Sequence, residues 1–211
     1  MAKKCYITGA GSHYTGDDFT PSADDLVIAA DGGYIFNSLQ KIKTDILIGD
    51  FDSLGEQNTS DTGEVIKLNP VKDETDMLCA VNAGLERGCT EFHIYGGAGG
   101  RNDHTFANIQ VLNYLACKGM KGYLYAENEI MTVIHDSEIS FNSEMTGYIS
   151  VFSLDTECEG VTEKGLKYTV DDYHMDNRFP IGVSNEFCGT DSSVSVRKGS
   201  LLIIYPRHNT F

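Results

Sequence analysis

The stretch DILIGDFDSLG, Asp45–Gly55, joins a short apolar run, Ile46–Ile48, to a glycine and an Asp-x-Asp pair. An apolar run of that length, stopped by Gly and acid, reads as a buried strand ending in a turn. Asp50 and Asp52 are two apart, so an extended backbone points both carboxylates to the same side, with Phe51 turned into packing. The same pattern recurs in KCYITGAG, LVIAADGG, EVIKLN, FHIYGG and GYLYAEN, all before about residue 125. Helical patterns lie between them. Met77, Ala80, Val81, Gly84 and Leu85 repeat at helical spacing and run out at Gly88; Phe106, Ile109, Leu112 and Ala116 form a second stripe that stops near Gly119. Strands alternating with helices predict a mostly parallel sheet with helices on its faces.

After about residue 129 the texture changes. EIMTVIHDSEISF, GYISVFSL, GLKYTV, SSVSVRKG and SLLIIYPR are short, rich in β-branched and aromatic residues, and contain no helical pattern. They predict an all-β domain, a small sandwich or partial barrel. The expected division is 1–128 and 129–211.

The chain has 211 residues, a formal net charge of −15 and 41% hydrophobic residues. That charge argues against a nucleic-acid partner, which needs a basic patch. It leaves room for a phosphorylated small molecule, because divalent cations invert the local field. No apolar run approaches the roughly 20 residues needed to span a membrane. The start, MAKKCYITGAG, reads as a first strand rather than a signal peptide. Six scattered cysteines with no C-x-x-C predict reduced thiols in a cytoplasmic protein.

In an open parallel sheet, ligands bind beyond the carboxyl ends of the strands. Asp31 and Gly32 follow LVIAA, Asp50 and Asp52 follow ILIG, and GGAGGRNDH follows FHIY. KDETD follows EVIKLNP and opens a helix, with Asp73 and Asp76 three apart on its first turn. Taken singly, each has a plainer account: Asp31 as turn chemistry, Asp73 or Thr75 as a helix cap, the glycines as a flexible loop. Together they crowd five carboxylates at one sheet edge, which repel unless cations sit among them. Mg²⁺ takes oxygen ligands and shares them with substrate phosphates. Gly-rich turns such as Gly99–Gly100 offer N–H groups to phosphate oxygens, and Arg101 adds a forked cation. Asp103 and His104 begin the next helix, where Asp103 is placed to orient a hydroxyl or accept its proton.

The ordered set ADGG (30–33), GDFDS (49–53), KDETD (72–76), GGRNDH (99–104) and GVSNEF (182–187) resembles the thiamine pyrophosphokinase family, whose members move a pyrophosphoryl group from ATP to thiamine. The resemblance implies a Rossmann-like α/β nucleotide-binding domain followed by a β-sandwich, in a homodimer with thiamine near the subunit interface. It also implies that Asp50, Asp52 and Asp76 handle Mg²⁺ and the diphosphate, with Asp31 and Asp73 close by. Arg101 is implied as a phosphate contact, Asp103 as a neighbour of the reactive hydroxyl, and Ser184 and Asn185 as thiamine contacts. Two positions depart from the family pattern. Leu78 stands where many members carry an acid, and Cys188 stands nearest to the aromatic that stacks on thiamine in animal members.

Three other classes use part of this pattern: a sugar-nucleotide glycosyltransferase, a phosphohydrolase with an aspartate nucleophile, and a non-catalytic nucleotide sensor. The glycosyltransferase leaves GGRNDH and SNEF without a purpose. The hydrolase needs downstream Lys and Thr/Ser elements that are not evident.

Overall fold

A computed structural model describes residues 2–51, 62–69, 71 and 73–207. Asp52 and Lys72 lie outside the described residues. The chain divides into two compact units, the first made of residues 1–111 and 122–127 and the second of residues 112–121 and 128–211.

The first unit is built on six strands, β1 (Lys4–Thr8), β2 (Leu26–Ala30), β3 (Ile46–Gly49), β4 (Glu64–Lys67), β5 (Glu91–Tyr95) and β6 (Lys121–Tyr125). Helix α1 (Gly33–Gln40) follows β2, α2 (Asp76–Glu86) follows β4, and α3 (Asn102–Cys117) follows β5. Strand order is β4-β3-β2-β1-β5-β6. The pairs β1–β2, β1–β5, β2–β3 and β3–β4 are all parallel. From β1 the chain first builds outward through β2, β3 and β4, then returns to β1's other side with β5. The order therefore reverses between β1 and β5, and a crevice opens beyond their carboxyl ends.

Burial follows the strand run rather than strict alternation. Every residue of β2 and β3 is buried, as expected where both faces are covered. Helix α2 lays Met77, Ala80, Val81, Ala83 and Gly84 on the sheet. Gly84 permits that approach, because a methyl group there would meet the Phe92 ring at 2.7 Å and Cys5 Sγ at 3.0 Å. Thr75 caps the helix by accepting a hydrogen bond from Leu78 N–H, and Gly88, at φ 78°, follows its end.

The second unit has two antiparallel arrangements. Strands β7 (Glu129–His135), β8 (Glu138–Phe141), β9 (Tyr148–Ser153), β10 (Cys158–Lys164), β11 (Val170–Met175), β12 (Asn185–Glu186), β13 (Ser192–Ser195) and β14 (Ser200–Pro206) run in the orders β12-β9-β14-β7 and β11-β10-β13-β8. Both sets contribute to one apolar cluster, including Ile149, Val151, Val161, Val194, Leu201 and Ile203, each fully buried. No helix among the described residues is long and apolar enough to cross a membrane.

Several local expectations change. Helix α1 has no side-chain cap and starts on glycine, so its eight residues leave little helical signal. Phe106 stands 62% exposed instead of joining the α3 stripe, while Leu112 and Ala116 are buried. GLKYTV lies mostly between β10 and β11, and those strands use Cys158–Lys164 and Val170–Met175. Asp73 precedes the Thr75 cap, so it is not in the first turn with Asp76. The backbone is not extended through Asp50–Phe51: β3 ends at Gly49, and Phe51 has φ 68°. Its ring still packs against the cluster of Ala29, Tyr34 and Leu47.

Candidate active site

Two glycine-rich loops leave the carboxyl ends of β1 and β5 and are laced together. Gly9 N–H donates to Tyr95 O at 2.8 Å, Gly11 N–H to Gly96 O at 2.9 Å, and Ser12 Oγ to Gly99 O at 2.5 Å. Side chains would break this lacing, since a Cβ on Gly11 would lie 2.5 Å from Gly96 O. A cavity of about 660 Å³ opens beside the pair. Its lining includes residues 9–12 after β1, Asp31 after β2, Asp76 at the start of α2, residues 96–101 after β5, and His104 and Asn108 of α3.

Asp31 sits at φ 47°, with its N–H bonded to Ile48 O of the neighbouring strand. Its carboxyl lies against Gly49, where any side chain would overlap it, and its Oδ1 is buried without a hydrogen-bond partner. Burial first, then the adjoining Asp76 carboxyl and the Asp50 charge, push the Asp31 carboxyl up to about 7. Phe51 N–H, donating to the same carboxyl, offsets part of that rise. The turn at Phe51 therefore serves Asp31, not only the spacing of the Asp-x-Asp pair. Three of the sequence-predicted carboxylates, Asp31, Asp50 and Asp76, are thus close enough to act on one another.

The remaining candidates are placed differently. Asp73 is exposed ahead of α2. Arg101 lines the cavity, 73% exposed, and grips Asp103 through Nε to Oδ1 at 3.2 Å and Nη2 to Oδ2 at 2.6 Å. That pairing holds the Asp103 carboxyl below its ordinary range and the Arg101 guanidinium above its own. Asp103 is not among the lining residues, whereas Gly99, Gly100 and His104 are. Gly32 begins the turn into α1.

In the second unit, Ser184 is exposed at φ 61°, its N–H donating to Ser150 Oγ at 3.1 Å. Asn185 is buried, and its amide is fully engaged. Nδ2 donates to Glu163 Oε2 and Tyr168 O, both at 2.7 Å, while Oδ1 accepts from Tyr168 N–H and Glu186 N–H at 2.9 Å. Phe187 is packed edge-on against Phe141 in the core, so its ring is not on the surface; Cys188 is exposed. The exposed rings beside Ser184–Glu186 are Tyr148 and Tyr168. Sequence reasoning missed these, and it missed the whole Gly9–Ser12 loop. The GAG after the first strand was its available signal.

The fold is that of a mostly parallel α/β unit followed by an all-β unit. Residues 20–124 match the model of the thiamin pyrophosphokinase catalytic domain, and residues 136–201 that of the thiamin pyrophosphokinase vitamin B1 binding domain. A thiamine pyrophosphokinase of Bacillus subtilis is 29% identical over 164 residues, 74% of this chain and 75% of the relative. Thiamin pyrophosphokinase 1 of Caenorhabditis elegans is 30% identical over 170 residues, 75% of this chain and 68% of the relative. The crystal structure of the B. subtilis enzyme superposes with a TM-score of 0.85 at 26% identity, covering 97% of this chain and 99% of that one. A Candida albicans thiamin pyrophosphokinase, 15% identical, shares the fold with a TM-score of 0.74. The chain belongs to the thiamin pyrophosphokinase family.

Proposed function

We propose that the cavity beside the β1 and β5 loops receives the triphosphate of ATP, and that the chain transfers ATP's pyrophosphoryl group to the hydroxyl of thiamine. The products are thiamine diphosphate and AMP. The observation that carries this reading is the arrangement of the cavity walls, laced glycine loops on one side and mutually repelling carboxylates on the other. Such a transfer depends on positioning and charge neutralisation rather than covalent help from the protein.

The family reaction calls for a divalent cation, and the residues present suit one. Asp31 Oδ1 is buried and unpartnered, and burial first, then Asp76 and Asp50, push its carboxyl up to about 7. Among the described residues no three such side chains form a ready cage, but Asp52 lies outside them. Asp50, Asp52 and Asp76 would hold Mg²⁺, with Asp31 and the exposed Asp73 nearby. Mg²⁺ bound there supplies positive charge to phosphate oxygens. The residues do the rest. Backbone N–H groups of Gly99 and Gly100 would orient phosphate oxygens, and Arg101 would steady the charge that develops on transfer. Asp103 would orient the thiamine hydroxyl or take its proton once Arg101 turns to the phosphate. His104 would border the nucleotide.

We read the first unit as a Rossmann-like nucleotide domain and the second as a β-sandwich that contributes to thiamine binding and dimerisation. Phe179, Ile181 and Val183 are 65%, 49% and 49% exposed just ahead of Ser184, an apolar strip suited to a second copy of the chain. Ser184 supports thiamine contact by exposure; Asn185 supports it by holding that turn. A cytoplasmic setting fits the free cysteines. The acidic surface, at a net charge of −15, would favour approach of the cationic thiazolium.

The test is direct: purified protein with ATP, Mg²⁺ and thiamine should release AMP and thiamine diphosphate in equal amounts. Asp52→Ala should abolish both without unfolding the protein. Release of inorganic phosphate alone, or a near-wild-type rate in Asp52→Ala, would overturn the assignment.

A further inference from the structure

Resting on that reading of the cavity, we propose that His13 and Asn108 are positioning residues that aim two backbone amides, Ala10 N–H and Ala98 N–H, at the triphosphate. Neither amide has a hydrogen-bond partner among the described residues, and both residues are in the cavity lining.

Each amide belongs to a peptide whose carbonyl accepts a hydrogen bond from a side chain. Asn108 is buried and donates through Nδ2 to Gly97 O at 2.7 Å. The peptide unit is planar and trans, so its C=O and the following N–H point opposite ways. Fixing Gly97 O on Asn108 therefore turns Ala98 N–H away from that helix. His13 does the same on the β1 loop, with Nε2 2.9 Å from Gly9 O, which directs Ala10 N–H the other way. A carbonyl only accepts, so Nε2 carries the hydrogen.

His13 is itself held on two sides. Its ring stacks on Phe36 of α1, with centroids 3.8 Å apart and planes 6° from parallel. Its Nδ1, 3.5 Å from Oδ2 of the buried Asp17, is buried without a hydrogen-bond partner. The imidazole also abuts Gly96, where a Cβ would lie 2.6 Å from Nε2. So the partly buried His13 clamps the β1 loop and the buried Asn108 clamps the β5 loop, and the two loops are laced to each other. Amides presented from adjoining loops in this way form a concavity suited to anionic oxygens. The polar groups on His13 and Asn108 need no contact with the ligand.

Calorimetric titration of wild type, His13→Leu, His13→Gln and Asn108→Leu with inorganic triphosphate, ATP and adenosine, in Mg²⁺, tests this. Both leucine variants should bind triphosphate and ATP about tenfold more weakly, the effect of losing one well-aimed hydrogen bond to a charge, and adenosine within about twofold of wild type. His13→Gln should bind triphosphate as wild type does, since its amide can donate to Gly9 O. General loosening of the fold would weaken all three ligands together, and that result overturns the proposal, as does unchanged triphosphate affinity in the leucine variants. Should those variants not fold, amide NMR of the wild type decides: added triphosphate must shift Ala10 and Ala98 N–H among the most, and unshifted signals overturn it. Synthesis of thiamine diphosphate by the wild type is scored separately, so failure of the reaction and failure of the amide cradle are told apart.

Discussion

Gly49 lies directly against Asp31: a methyl group on Gly49 would occupy the space of Asp31 Oδ1. The glycine before the Asp-x-Asp pair is therefore part of the site, as the floor under a carboxylate from the neighbouring strand. Gly49→Ala should displace Asp31 and lower turnover at least about tenfold, because misplacing a charged group by an ångström is costly. Circular dichroism should remain that of the wild type. Unchanged turnover would separate Asp31 from the chemistry.

Asp76 and Asp31 repel when both are ionised, so Asp76→Asn should pull activity and stability in opposite directions. Turnover should fall about a hundredfold or more, the usual scale for a group that stabilises charge in transfer. The thermal unfolding midpoint without cation should hold or rise, because the neighbour that raises the Asp31 carboxyl is gone. A clear drop in the midpoint would contradict the repulsion.

Arg101 and Asp103 are paired at 2.6 Å but stand 73% and 64% exposed. Exposed pairs contribute little to stability. Arg101→Ala should leave the unfolding midpoint unchanged while raising the KM for ATP about tenfold. A variant with unaltered KM would remove Arg101 from the phosphate site.

Asn185→Ala would strip Glu163 and the Tyr168 peptide of their shared partner inside the second unit. The expected cost is about 2–4 kcal/mol, measured by urea unfolding, since buried polar groups lose their bonds without gaining water. A loss of thiamine binding with stability intact would instead make Asn185 a direct ligand contact.

Glu163 carries a pH signature. Burial raises its carboxyl above the ordinary range, and the Asn185 amide opposes only part of that. No charged side chain contributes among the causes of the shift. The folded state thus holds this proton more tightly than the unfolded chain, whose carboxyl titrates near about 4.3. Stability from this group is greatest below that pH and declines as pH rises through the raised folded value. Glu163→Gln keeps an acceptor for Asn185 and removes the titration. Its advantage over wild type should grow from pH 4 towards neutrality in thermal unfolding, and a constant difference would refute the assignment.

The alternation of short apolar runs with helical stripes made the parallel sheet legible, because strands buried on both faces leave unbroken runs such as LVIAA. The acidic run-ends placed Asp31 and Asp50 just beyond strand ends, and the helix pattern placed Asp76 at the start of α2. Helix α1 was not legible: tertiary packing of Tyr34 and Asn37, not propensity, holds it. Nor was the engagement of Asn185, which depends on Glu163 and Tyr168 from β10 and the turn after it. The Gly9–Ser12 loop was written in plain glycines, but its importance follows from pairing with residues far along the chain. Family resemblance named the reaction.

The lacing of the β1 and β5 loops also governs when the site comes into being. Ser12 and Gly99 are 87 positions apart, and every element from β2 to α2 lies between them. Closing so long a loop costs entropy before its contacts repay it, so such pairings form late in folding. The laced loops cannot form until β5 has paired with β1. In refolding, ATP binding should recover no earlier than the full parallel sheet, which makes the ligand itself a reporter of completed folding.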